Sequence, residues 1–331
     1  MRREAGPLGL VRGIIMKKFI RNIFIFLGLF ILTATVIVLA DYFMIGNQHL
    51  GNYQASILDK TERFRSLTGP KIVLIGNSNL AFGMDSEMLS EATGMEVVNM
   101  GLHGGLGSAF NENMVRLGKL NEGDIVILSL HTYADDDAIE DPSLALITVE
   151  KHRDLWKLIR LKDLYGIAKA YPDYFKDCVM YKCTKEDDNT PEETTCYSRS
   201  AFNIYGDNVR RLEGDDTFMF YPGSVEVPSV NDTCVNRING LNEYIEGCGA
   251  TLLIAGYPIG YGEFTPEASL YDEFEKTLRE RMDCDVISHF TDYFIPYDLF
   301  YDTKFHLDEE GAKVRTRQLI KDIENWRAGR P

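Results

Sequence analysis

One long apolar block opens the chain, and shorter apolar runs then alternate with mixed, helix-patterned stretches. Residues 23–40 (IFIFLGLFILTATVIVLA) are 18 consecutive uncharged positions, mostly large and apolar. At 1.5 Å rise per residue such a helix nearly crosses a hydrocarbon core of about 30 Å. Tyr42, Phe43, Met44 and Ile45 extend it into the interface. Downstream, residues 71–75, 96–100, 124–130, 251–255 and 285–288 are short runs rich in large apolar and β-branched residues, and each predicts a strand. Helical spacing is read over 52–66, 85–93, 111–120, 231–246, 270–281 and 307–326.

The strands are apolar on both faces and alternate with helices, the pattern of a parallel sheet covered on each side. The expected fold is α/β: a flavodoxin-like three-layer sandwich with a mostly parallel five-stranded sheet. Residues from about 134 to 230 interrupt the alternation with a basic helix over 151–171, three cysteines and an acidic run between Glu186 and Glu193. They read as a cap inserted after the third strand. The expected organisation is a cytoplasmic tail over 1–22, a transmembrane anchor over 23–45, a stalk over 46–70 and a body over 71–331.

Charge decides which side of a membrane the body occupies. The net charge is −15, but residues 1–45 hold six Lys/Arg against two acidic residues, and the other 286 hold 29 against 48. So acidic a body repels phosphate backbones, and nucleic-acid binding is not expected. Lys17, Lys18 and Arg21 precede the apolar block, whereas the next basic residue after it is Lys60. The positive-inside rule then keeps the N-terminus in the cytoplasm and exports the body to the periplasm or cell surface. A cleaved signal is the alternative, although its apolar region is usually shorter and ends in small residues.

Cysteine usage agrees with export. All six (Cys178, Cys183, Cys196, Cys234, Cys248, Cys284) fall in the body, an even number suited to disulfides. Cys248 and Cys284 each precede a predicted strand, so a bridge between them is expected at the amino edge of the sheet. No CxxC pair is present, and Asp135-Asp136-Asp137 lacks the spacing of a Ca²⁺ loop. No metal or cofactor is expected. Asn231-Asp232-Thr233 fits a glycosylation sequon by pattern.

Ligand sites in parallel sheets lie at the carboxyl ends of the strands. Ser78 stands there, just past the first strand in Gly76-Asn77-Ser78-Asn79. It suits a nucleophile beside free backbone N–H groups, or equally a helix N-cap. Leu80 replaces the last glycine of a Gly-x-Ser-x-Gly elbow, and no Gly-Lys-Ser/Thr follows for a phosphate loop. Asp302 and His306, in YDTKFHL before the last helix, fall on the same edge. His306 suits the base for Ser78, with Asp302 fixing its tautomer. His103 and His131 are further candidates for the crevice wall, or structural histidines.

These blocks resemble the SGNH (GDSL-like) hydrolase superfamily over roughly residues 70–325. Gly76-Asn77-Ser78 stands where the family usually has Gly-Asp-Ser, and Asn99-Met100-Gly101 with Gly104-Gly105 matches the glycine block. Three residues separate Asp302 from His306, where two are usual. Leu130-His131-Thr132-Tyr133-Ala134 replaces the family's Gly-x-Asn-Asp, so the Asn donor of the oxyanion hole is missing. The resemblance implies Ser78, Asp302 and His306 as catalytic residues, Gly101 as a backbone oxyanion donor, and Asn79, Gly104 and Tyr133 around the substrate. The anchored layout is most similar to members that assist D-alanylation or acetylation of surface polymers. The expected function is a membrane-anchored serine esterase or O-acyltransferase acting on acyl groups of surface glycans or related polymers. The alternative is a degenerate relative that binds glycan or docks a membrane acyltransferase through the same crevice.

Overall fold

The computed structural model describes residues 7–45, 48–134, 138–184, 195–210, 226–262 and 265–329. In chain order the helices are α1 (Pro7–Ala40), α2 (Ser56–Ser66), α3 (Ser78–Phe82), α4 (Ser86–Thr93), α5 (Ser108–Asn113), α6 (Pro142–Val149), α7 (Leu164–Thr184), α8 (Asp232–Gly247), α9 (Ala268–Arg281) and α10 (Glu309–Ala328). The strands are β1 (Lys71–Gly76), β2 (Glu96–Asn99), β3 (Ile125–Ser129), β4 (Thr251–Ile254), β5 (Ile259–Tyr261), β6 (Asp285–Val286) and β7 (Phe294–Pro296). They form two compact units, residues 1–48 with 175–185, and 49–174 with 186–331.

In the first unit, α1 runs on through a π-helical turn, Asp41–Ile45. Over Ile15–Ile45 the mean hydropathy reaches 2.9, and none of the apolar window is buried. By length and composition this helix is able to cross a membrane. From Ile15 to Leu39 its Ile, Leu and Phe side chains are exposed around the whole circumference, which suits lipid rather than a protein core.

The second unit is built on a five-stranded sheet of order β2-β1-β3-β4-β6, with every neighbouring pair parallel. Every residue of the central β1 and β3 is buried. Ile72, Leu74, Val97, Ile127 and Leu253 pack with Leu89 of α4 and with Leu319 and Ile323 of α10. The alternate residues Val73, Val98 and Val126 point the other way and are equally buried. That is why these strands read as continuous apolar runs. β1 must end in glycine, because a Cβ on Gly76 would stand 2.4 Å from the Ser129 carbonyl oxygen of β3. β5 and β7 form a separate parallel pair, too short to leave a period in the sequence.

Several sequence expectations need correction. Residues 56–66 are no free stalk: Ile57 and Phe64 are fully buried, and Arg63 donates to the Val97 carbonyl of β2 at 2.7 Å. In the inserted segment, 151–171 is not one helix. Short 3₁₀ turns at Leu155–Leu158 and Leu161–Asp163 lead into α7, which continues to Thr184. Asp135 to Asp137 and the acidic run lie outside the described residues. No disulfide joins the cysteines. β6 pairs from Asp285 opposite Leu253, so Cys284 stands level with Leu252, four residues along from Cys248. Asn231, of the sequon, caps α8 by accepting the Cys234 N–H at 2.8 Å.

Lys60 gives the packing of α2 a measurable signature. Its Nζ is buried and donates to the carbonyls of Asn99 at 2.9 Å and Gly206 at 2.5 Å, above the Phe202 ring. Burial pushes its pKa down to about 7, despite the attraction of Asp207 and Asp59. Between about pH 7 and 10 the unfolded chain therefore holds a proton that the folded chain has released, and stability rises with pH. Urea denaturation at pH 7 and pH 9 should show wild type gaining up to about 1.4 kcal/mol per pH unit relative to Lys60→Met. An equal difference at both values would mean that Lys60 stays charged.

Candidate active site

The turn after β1 decides the role of Ser78. Asn77 takes extended backbone angles and its Oδ1 accepts the Asn79 N–H at 3.1 Å, so Asn77 is the N-cap and Ser78 the first residue of α3. The capping reading of Ser78 is thereby removed. Ser78 lines a cavity of about 460 Å³ together with His103, Gly104, Asn111, His131, Tyr197 and His306. The cavity lies at the carboxyl edge of the sheet, where α/β ligand sites form.

His306 is buried and its Nδ1 lies 2.6 Å from Asp302 Oδ1. The other carboxylate oxygen accepts the Tyr197 hydroxyl. Burial raises the Asp302 pKa, but the hydrogen bond and charge of His306 and the hydrogen bond of Tyr197 outweigh it and leave the group below its ordinary value. An ionised carboxylate accepts only, so Nδ1 carries a proton and Nε2 is the ring nitrogen left outside the pair. The imidazole ring lies flat on Phe82, centroids 4.0 Å apart and planes 8° apart. Phe82 is four residues beyond Ser78, hence on the same face of α3. One short helix therefore carries the serine and supports the base.

No hydrogen bond joins Ser78 to His306, although the two line one cavity. Such contacts often tighten only when substrate binds. His103 accepts the Gly105 N–H at its Nδ1 over 2.9 Å, which leaves Nε2–H as a donor on the cavity wall. Its pKa is lowered, first by burial and then by His306. His131 is held by the Asn77 side-chain amide and packs against Phe305, ring centroids 4.2 Å apart. Asn111 is buried on the same wall with its Oδ1 unpartnered.

Ser78, Asp302, His306 and Gly104 are brought together; three other expected residues are not. Asn79 is fully buried and its amide is engaged by Asn77, the Ser129 carbonyl and Arg315. Gly101 donates its N–H to Asn99 Oδ1 at 2.9 Å, so it offers no donor to an oxyanion. Its glycine is required for packing, since a Cβ there would stand 2.7 Å from the Ala81 nitrogen. Tyr133 is buried against Phe274, away from the cavity. Ser78 and Gly104 lie on the wall, and no acceptor is found for their backbone N–H groups among the described residues.

Tyr197, Phe82 and Arg315 were not legible as site residues. Only Phe82 left a signal, its spacing of four from Ser78. Among the described residues no cluster of His, Cys, Asp or Glu is arranged to hold a metal ion. No family, no curated protein and no solved structure matches the chain.

The Asp302–His306 pair contributes stability that is present above the ordinary carboxylate pKa of 3.8 and is lost as pH falls through the lowered value. Removing the Tyr197 donor moves that loss to higher pH. Tyr197→Phe should also slow labelling of Ser78 by a fluorophosphonate about five- to tenfold, the cost of one hydrogen bond to a charged group at a half-exposed site. Labelling at wild-type rate, with an unshifted acid limb, would show that Tyr197 does not position the pair.

Proposed function

We propose that this protein is a membrane-anchored serine esterase or O-acyltransferase of the SGNH-like type, with Ser78 as nucleophile. The observation that carries the reading is the Asp302–His306 pair, set with its free Nε2 in the same cavity as Ser78. His306 takes the Ser78 proton, Asp302 stabilises the imidazolium, Ser78 attacks the ester carbonyl, and the bond to the substrate's alcohol breaks as that alcohol leaves with the proton from His306. The N–H groups of Ser78 and Gly104 are the oxyanion donors in this reading, in place of Gly101. The acyl-enzyme is then released to water or to a hydroxyl of a cell-surface glycan or related polymer. The strand order β2-β1-β3-β4-β6 supports a flavodoxin-like sandwich as the scaffold.

The basic residues before α1 support export of the body, with the N-terminus in the cytoplasm. A second reading is favoured by two observations: Ser78 makes no hydrogen bond to His306, and the Gly101 N–H is already used. It is a degenerate relative that binds glycan, or docks a membrane acyltransferase, through the same cavity. Chemistry separates the two. The full-length protein should hydrolyse p-nitrophenyl acetate and take a fluorophosphonate on Ser78, and Ser78→Ala should lose both with an unchanged circular-dichroism spectrum. Equal turnover in the variant would refute the nucleophile assignment.

Membrane attachment is tested separately. Detergent should be needed to extract the protein, and protease added outside cells should degrade the body. A soluble form beginning near Asp41 would show instead that the apolar segment is a cleaved signal.

A further inference from the structure

A second cavity, of about 430 Å³, adjoins the one that contains Ser78. The two share His131, Thr132, Lys304 and Phe305. The His131 and Phe305 rings lie 4.2 Å apart at 35° to one another and form part of the partition, with Thr132 and Lys304 beside them. His131 is in turn held by Asn77, the residue before Ser78. Nucleophile, partition and second chamber thus form one cleft.

A hydrolase needs room for the acyl group and a path for water. A transferase needs in addition an adjoining site that holds the acceptor hydroxyl in position. The walls of the second chamber indicate which acceptor. Tyr257 and Phe305 provide aromatic rings, while Thr132, Ser229, Glu226 and Lys304 provide hydrogen-bond donors and acceptors. Glu226 and Lys304 are of opposite sign, so the wall selects neither a polyanion nor a polycation. A sugar ring meets both halves of this lining, with its C–H face on the aromatic rings and its hydroxyls on the polar groups. The volume lies within the range of about 300–1,000 Å³ usual for small-molecule sites.

We propose that this chamber is the acceptor site for a neutral sugar, and that the protein transfers acyl groups to a sugar hydroxyl. The proposal rests on Ser78 as nucleophile. The sugar oxygen attacks the carbonyl carbon of the Ser78 ester, and His306 Nε2 takes the hydroxyl proton. The bond between that carbon and Ser78 Oγ breaks, and Oγ receives the proton from His306. A sugar ester and free Ser78 result, with no change of oxidation state.

The test uses the full-length protein in detergent with p-nitrophenyl acetate and cellobiose. Acetylated cellobiose by mass spectrometry and p-nitrophenol by absorbance give a transfer-to-hydrolysis ratio. Ser229 and Ala134 line the second chamber and not the first. Ser229→Phe and Ala134→Phe should each lower the ratio by about tenfold or more, a loss of some 1.4 kcal/mol of acceptor binding. In a parallel arm, saturation-transfer NMR should detect cellobiose on Ser78→Ala and lose it when Ser229→Phe is added. Ester hydrolysis without acetyl-cellobiose in wild type, or an unchanged ratio in both variants, overturns the proposal. Absence of any ester turnover defeats the nucleophile and the transfer step together. The NMR arm then judges the chamber alone: binding lost with Ser229→Phe supports a sugar site, and binding absent or insensitive to it rejects one.

Discussion

One buried guanidinium holds the carboxyl edge of the sheet together. Arg315 of α10 is 2% exposed, and its hydrogen bonds go to neutral groups. It donates to the Asn79 carbonyl at 2.5 Å, Asn79 Oδ1 at 2.9 Å, Ser129 Oγ at 2.8 Å and the Gly256 carbonyl at 3.3 Å. The turn after β1 and the ends of β3 and β4 are thereby tied to the last helix. Burying the charge without a carboxylate costs several kcal/mol. Hydrogen bonds from a charged donor, about 1.5–3 kcal/mol each, offset that cost. Burial pulls the pKa down only to about 10, so the group stays charged at neutral pH. A lysine would present a point charge instead of a planar fork, and would not span the same acceptors.

The same helix places the base. Asp308 caps α10 through the Gly311 N–H at 2.7 Å, and His306 stands two residues before that cap. Arg315 grips the turn that carries Ser78 from one side, while the segment just before α10 places His306 at the cavity. Phe82 completes the link by stacking on the imidazole from within α3. Serine and base come from opposite ends of the body, yet a single helix and a single short turn govern their relation.

The inserted segment is joined to the body by buried polar contacts rather than by disulfides. Asp207 accepts from the Ser86 N–H and hydroxyl, both at 2.7 Å, and from Asn99 Nδ2 at 2.8 Å. Burial raises its pKa. Tyr197, from the same segment, reaches Asp302, so the insertion supplies a donor to that carboxylate as well as part of the cavity wall. Such fully satisfied networks favour one arrangement of the segment, because any other would strand buried polar groups.

Hydrophobic pattern by itself determined the apolar N-terminal helix, the parallel sheet and the edge at which Ser78, Asp302 and His306 would meet. Those features follow from burial on two faces and from chain direction, both of which are local in sequence. Tertiary structure alone decided the rest. Asn79 and Gly101 match their motifs but are consumed by contacts with Arg315 and Asn99, partners far away or on a bond the motif does not record. Tyr133, beyond the end of β3, is buried beside Phe274 and bridges to Val230, a partner far along the chain. Arg315 reads as a surface residue on an amphipathic helix, and Tyr197 sits in a segment with no period at all. Their roles arise from which neutral groups were left without partners when distant segments closed together, and no local pattern encodes that.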